Sequence, residues 1–166
     1  HVVLVAGGAD GVVVGGLAVE VDDDHGLRQL VLLRGVVEGL REREAVPGLV
    51  DVYRDTSETL LQQIEADLAQ GISKFLLFGV PARKQDRAFS HAATSDIIAT
   101  VRRRFGSDIW LAVDVCLCSH TTHGHCGILN DNRDHVLNDA SVSALADAAL
   151  QFAQAGADCV APSDMQ

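Results

Sequence analysis

Residues 55–81 read DTSETLLQQIEADLAQGISKFLLFGVP, and two periodicities meet inside this one stretch. Leu60, Leu61, Ile64 and Leu68 recur at the three-and-four spacing of a helix with one apolar face. Asp55 and Glu58 stand at the D-x-x-E spacing of a capping box, which predicts the helix start, and Gly71 suits its stop. Lys74–Pro81, KFLLFGVP, is then a short apolar run closed by glycine and proline, the pattern of a buried strand entering a loop. A helix that hands over to a wholly apolar strand within a few residues is the building unit of parallel sheets.

The unit recurs downstream. Ser95 is placed to cap a helix with Ile97, Ile98, Val101 and Phe105 on its inner face. Arg102, Arg103 and Arg104 fall near its carboxyl end, where cations favour the helix dipole, and Gly106 ends it. Residues 109–116, IWLAVDVC, form the next strand. A third helix is expected from Asn138 or Asp139, burying Val142, Leu145, Ala146, Ala149, Leu150 and Ala153 and stopping at Gly156. DCVAP at 158–162 is a third strand. The alternation predicts an α/β fold of parallel strands with flanking helices. A closed (β/α)8 TIM barrel takes roughly 200 residues or more, so 166 residues cannot complete one and could supply about the first half. Polar residues gather just after each strand: Lys84 and Asp86, then Asp114 through Cys126, then Ser163 and Asp164. In α/β folds that end of the strands carries the site.

Composition agrees with one domain: 48% of the residues are hydrophobic and 22% charged. A net charge of -10 argues against nucleic acid or an anionic membrane as partner. No run of 18 apolar residues marks a spanning helix. Residues 1–26, almost wholly Val, Gly, Ala and Asp, read as a low-complexity arm of doubtful origin, either flexible or foreign to the domain over 27–166. They lack the basic start and cleavage site of a signal peptide.

The chemistry concentrates in Asp114–Gly127, DVCLCSHTTHGHCG. Three of the four cysteines lie within eleven residues, beside three histidines. A disulfide framework spreads its cysteines, so this clustering points to metal ligation in a reducing, cytoplasmic setting. Cys116 and Cys118 are close enough to share an ion, and Gly124 and Gly127 let the loop fold Cys126 back. Three thiolates favour Zn2+ over Mg2+. Spacing leaves two site types open: a closed Cys3His site with His120, His123 or His125 as fourth ligand, or a catalytic site with an open position. A redox pair fits less well, because the motif is C-x-C and not C-x-x-C. Cys159, in an apolar strand, reads as core. Taken alone, Asp114 reads as a loop cap, and Ser163 and Asp164 as the cap of a following helix.

DVCLCSHTTHGHCGIL at 114–129 closely resembles the metal segment of the zinc-type porphobilinogen synthase (5-aminolevulinate dehydratase) family. FGVP at 78–81 and LNDASVSALADAALQFAQAGADCVAPSDM at 137–165 extend the resemblance, and VVEGLREREAVPGL at 36–49 does so loosely. Residues 27–166 thereby resemble the family's amino-terminal half. The resemblance implies a hydro-lyase that condenses two 5-aminolevulinate molecules into porphobilinogen, with loss of two waters, in tetrapyrrole and heme biosynthesis. It implies a (β/α)8 barrel assembled as a homo-octamer. It implies zinc as a Lewis acid held by Cys116, Cys118 and Cys126, with His125 near the metal and Asp114 and Ser163 lining the substrate site. Some members add an allosteric Mg2+.

The chain departs from the pattern in places. The family's two Schiff-base lysines lie on later strands, and neither Lys74 nor Lys84 matches them. The isolated chain is therefore expected to lack synthase activity. The alternatives are a non-catalytic zinc module, or a truncated subunit that joins full-length synthase. His120 stands where the family usually has Tyr, and Thr122 where it has Ser. The early strand, typically LPLFV, is LLRGV at 32–36, which puts Arg34 in a core strand unless it faces outward or is paired.

Overall fold

The computed structural model describes residues 4–5, 18–22, 28–49 and 52–164, with side chains from residue 31 onward. Its frame is four parallel strands: β3 (Arg28–Val37), β6 (Lys74–Val80), β7 (Trp110–Val115) and β8 (Cys159–Pro162), adjacent in that order. Two short strands, β1 (Leu4–Val5) and β2 (Ala18–Asp22), extend the sheet antiparallel on the outer side of β3. β4 (Glu44–Ala45) and β5 (Tyr53–Asp55) pair beside the end of β3. Helices α1 (Ser57–Ala69), α2 (Ala92–Phe105) and α3 (Asn138–Ala155) make the crossovers. The expected arm over 1–26 falls mostly outside the described residues. No helix among the described residues is long and apolar enough to cross a membrane.

Alternation along the strands sorts the two faces of the sheet. Leu32, Val36, Phe75, Leu77, Leu111, Val113 and Val115 are buried toward the helices, against Leu60, Ile64, Ile98, Val101 and Phe152. Leu33, Leu76, Phe78 and Asp114 alternate with them and are half-buried on the opposite face. In a parallel barrel that second face is the interior, so Asp114 points where a substrate would enter.

Arg34 does not break its strand. It shares the helix-facing row with Leu32 and Val36, is only 3% exposed, and pairs with the equally buried Asp67 of α1. Gln63 also donates to Asp67, at 3.0 Å. The charge is thus outward and partnered, which removes the sequence objection to a first strand here.

Three local expectations need correction. The α1 capping box is made one residue later than Asp55–Glu58: Thr56 accepts from the Thr59 amide, and the Thr59 hydroxyl accepts from the Thr56 amide. Asp55 is buried beside it, accepting from the Thr59 hydroxyl at 3.1 Å and pairing with Arg43 at 3.2 Å. Helix α2 begins three residues before Ser95, at Ala92, with no side-chain cap. The earlier start brings Thr94 against β6 at Gly79, where a Cβ would meet the Thr94 hydroxyl at 2.2 Å. Helix α3 has the predicted span and a left-handed Gly156 cap, but a different rotation. Ser141, Leu145, Ala148 and Phe152 are buried, while Val142 and Leu150 are exposed and Ala146 and Ala153 lie on the open side. The Ser141 hydroxyl fixes this rotation by accepting from the Ile128 amide at 2.8 Å.

Candidate metal centre

Strand β7 delivers Cys116 directly from its carboxyl end. The next residue, Leu117, is fully buried and pins the turn that follows. Cys118 lies just beyond, its amide 3.5 Å from the Cys116 sulfur. Gly124 turns the chain with a φ of 73°, a conformation glycine adopts without strain, and Cys126 returns. The sulfurs of Cys116, Cys118 and Cys126 lie within 4.8 Å of one another. This is the one group of three or more metal donors found among the described residues. His120, His123 and His125 are not in it.

Packing beside Cys116 holds back the ionisation of the other two thiols. Burial and the neighbouring Cys116 push the Cys118 thiol up to about 12. The Cys126 thiol is raised by its hydrogen bond to Cys116 and by burial. A cation at their centre reverses that balance, since a coordinated thiol is deprotonated outright.

The histidines are occupied differently. His125 is exposed and accepts the Gly127 amide at Nδ1, 3.0 Å. His123 accepts the His125 amide at Nδ1, 3.1 Å. His120 is buried among rings, 4.9 Å from His91 and 6.0 Å from Phe89 between centroids. Burial, then His91, pushes the His120 imidazole down to about 4, so it packs as a neutral aromatic. The Ser119 hydroxyl spends its proton on the Gly79 carbonyl at 3.1 Å, so His120 Nδ1–H donates to Ser119 Oγ at 3.0 Å.

Asp114 and Ser163 meet. Ser163, just past β8, donates to the Asp114 carboxylate at 2.6 Å, across adjacent strands in register at Asp114 and Ala161. Burial raises the Asp114 carboxyl above its ordinary range, and the Ser163 bond partly offsets this. Cys159 lies on β8 in register with Ala112 and is half-buried rather than fully core. Lys74 opens β6 beside Trp110, at the opposite end of the strands, and Lys84 is exposed in the loop after β6.

Sequence reading passed over one feature of the site. Asp86 ties the loop after β6 to the loop that carries the cysteines. It accepts from the Thr122 amide at 2.8 Å, from the Thr122 hydroxyl at 2.7 Å and from Arg133 at 3.1 Å. The bonds from Thr122, amide and hydroxyl, hold the Asp86 carboxyl below its ordinary range. Its partners are 36 and 47 residues away, so the only sequence signal was a polar residue after a strand.

The family model described as Delta-aminolevulinic acid dehydratase matches residues 21–166. The delta-aminolevulinic acid dehydratase of Bacillus subtilis (strain 168) is 37% identical over 134 residues, covering 78% of this chain and 40% of its own length. That of Methanothermobacter thermautotrophicus is 38% identical over 134 residues, covering 80% and 39%. Among solved structures, this chain is similar to delta-aminolevulinic acid dehydratase (porphobilinogen synthase) from Toxoplasma gondii ME49 in complex with the reaction product porphobilinogen. The TM-score is 0.71 at 25% identity, covering 82% of this chain and 40% of that one. The chain spans about two fifths of the length of these relatives.

Proposed function

Because the chain belongs to the delta-aminolevulinic acid dehydratase family, we propose that it is the metal-holding half of a porphobilinogen synthase barrel. The whole protein condenses two 5-aminolevulinate molecules into porphobilinogen with loss of two waters. One observation carries the reading: the three-thiol cluster and the Asp114–Ser163 pair stand together at the carboxyl ends of β7 and β8.

The donor set fits zinc. Three sulfurs in a partly buried loop suit a borderline-soft divalent ion and disfavour Mg2+. Cys116, Cys118 and Cys126 would hold it, with His125 next to Cys126 in the loop but outside the thiol cluster. Zinc supplies a Lewis acid that polarises a carbonyl. Asp114, half-buried and held toward its protonated form, keeps or passes a proton at the substrate face, and Ser163 fixes which oxygen is free to do so. Neither Lys74 nor Lys84 is placed to offer a Schiff-base amine there. That group, and the rest of the substrate pocket, belong to the remaining length of the family barrel. The protein works in the cytoplasm as a homo-oligomer.

The test is zinc stoichiometry together with porphobilinogen formation. This chain alone is expected to bind one zinc, about one per chain for a single site. A chimera joining residues 21–166 to the remaining length of the Bacillus subtilis relative is expected to form porphobilinogen. A chimera that folds and binds zinc yet forms none sinks the catalytic reading and leaves a metal-holding module.

A further inference from the structure

We propose that Asp86 is the positioning residue of the metal loop, the post from which the segment between Cys118 and Cys126 hangs. The proposal rests on the metal reading above. Thr122 and His123 lie midway along that segment, farthest from either anchored end. The Thr122 hydroxyl straddles the carboxylate, at 2.7 Å from one oxygen and 2.8 Å from the other, while the Thr122 amide adds a third bond. His123 lies beside the same carboxylate without a hydrogen bond to it. Its Nδ1 accepts the His125 amide, so in the neutral ring the proton sits on Nε2, which faces Asp86 at 3.6 Å.

The post is itself braced. Arg133 reaches Asp86 from the turn before α3, and it does so from a φ of 58°, a left-handed conformation unusual for a residue with a Cβ. Arg87, next in sequence to Asp86, bonds the Leu129 carbonyl at 3.2 Å and Asp131 at 3.1 Å. Three points along the one connection between β7 and α3, at 122–123, 129–131 and 133, therefore converge on residues 86–87. The stretch after β7 is anchored elsewhere by Leu117, by Ser119 to Gly79 and by Gln85 N–H to the His120 carbonyl at 2.7 Å. Those anchors fix Cys116 and Cys118. The return arm before Cys126 has Asp86 and the Thr121 hydroxyl, which bonds the His125 carbonyl at 2.9 Å, and just beyond Cys126 the buried Ile128 is held by its amide on Ser141. Groups that orient a metal's ligands without touching the metal commonly set affinity by ten- to a hundredfold.

The experiment titrates the full chain with Co2+, reading the thiolate-to-cobalt charge-transfer band, and maps cysteine alkylation at one equivalent of Zn2+. Asp86→Asn is expected to weaken Co2+ binding by about ten- to a hundredfold. Cys126 is expected to become alkylated while Cys116 and Cys118 stay protected. Thr122→Val, which keeps the amide bond and deletes only the hydroxyl, is expected to give a smaller loss of the same pattern, and it serves as the test if Asp86→Asn fails to fold. A wild-type chain that shows the band, with either folded variant unchanged in affinity and alkylation, overturns the role of Asp86 alone. Uniform exposure of all three cysteines overturns it in favour of general loosening. A wild-type chain with no thiolate band overturns the metal reading and this one with it.

Discussion

The two ends of the four parallel strands are built from similar residues to opposite purposes. At the amino ends the connections are short, and Arg102 gathers two of them, the turns into β7 and β8. It donates to the carbonyls of Gly156, Gly106 and Ile109 and pairs with Asp158, which also accepts the Leu111 amide at 2.8 Å. Most of those acceptors are main chain, so the arrangement closes turns. At the carboxyl ends the connections are long, over 81–91 and 116–137. There the side chains tie loop to loop, as Asp86 does, and leave three thiols and a half-buried acid facing outward from the strands. That contrast fits the division of labour expected of a barrel, stability at one end and chemistry at the other.

The largest effect is expected from the buried pair that serves stability alone. Asp67→Ala removes the buried carboxylate to which both Arg34 and Gln63 donate, at a cost of about 3–5 kcal/mol. Urea unfolding of the metal-free chain measures it. Zinc affinity of the fraction that remains folded is expected to stay at the wild-type value. A parallel loss of affinity would show that the two sets of polar groups are coupled.

Gly79 is the place where the division is expected to break. A methyl group there meets Thr94 at 2.2 Å, so Gly79→Ala pushes α2 off β6, at about 1–3 kcal/mol. The Gly79 carbonyl also receives Ser119, within the metal loop. One substitution should therefore lower both the urea midpoint and the zinc affinity. Thr94→Ser with Gly79→Ala relieves part of the contact, because the Thr94 methyl lies 2.6 Å from the same point. It should recover part of both losses.

How far all this could be read beforehand depends on the range of the interactions. The strand over 74–80 and the buried face of Ile97, Ile98, Val101 and Phe105 are periodic, local signals, and both stand in the structure as read. The thiol cluster was equally legible, because its three donors fall within eleven residues. The rotation of α3 was not. Alanines on every side blur its apolar face, and the deciding contact is a serine hydroxyl to an amide thirteen residues back. Arg34 looked like a defect because its partner is 33 residues away on another element. Asp114 and Ser163 were singled out through resemblance, but their pairing was not read, since the two are 49 residues apart and meet only once β7 and β8 are in register.

The smallest effect separates two titrating groups at the carboxyl ends by the pH at which each matters. His91 is 4% exposed, against Phe152 and His120, and burial lowers its imidazole below the ordinary 6.5, with Asp147 opposing. The unfolded chain binds that proton more readily, so stability from the neutral ring is full above 6.5 and declines as pH falls from there toward the folded value. Asp86 is depressed below 3.8, so its contribution is full above 3.8 and is lost only as pH falls through the lower, folded value. Both slopes therefore run the same way, in separate windows. In stability–pH curves of the metal-free chain, His91→Phe should lessen the decline that begins below 6.5, to which the buried His120 also contributes, and leave the one below 3.8. Asp86→Asn should do the reverse. If His91→Phe leaves the upper window unchanged, the ring is not buried as a neutral base, and the aromatic group under the loop after β6 is packed differently from the metal loop it adjoins.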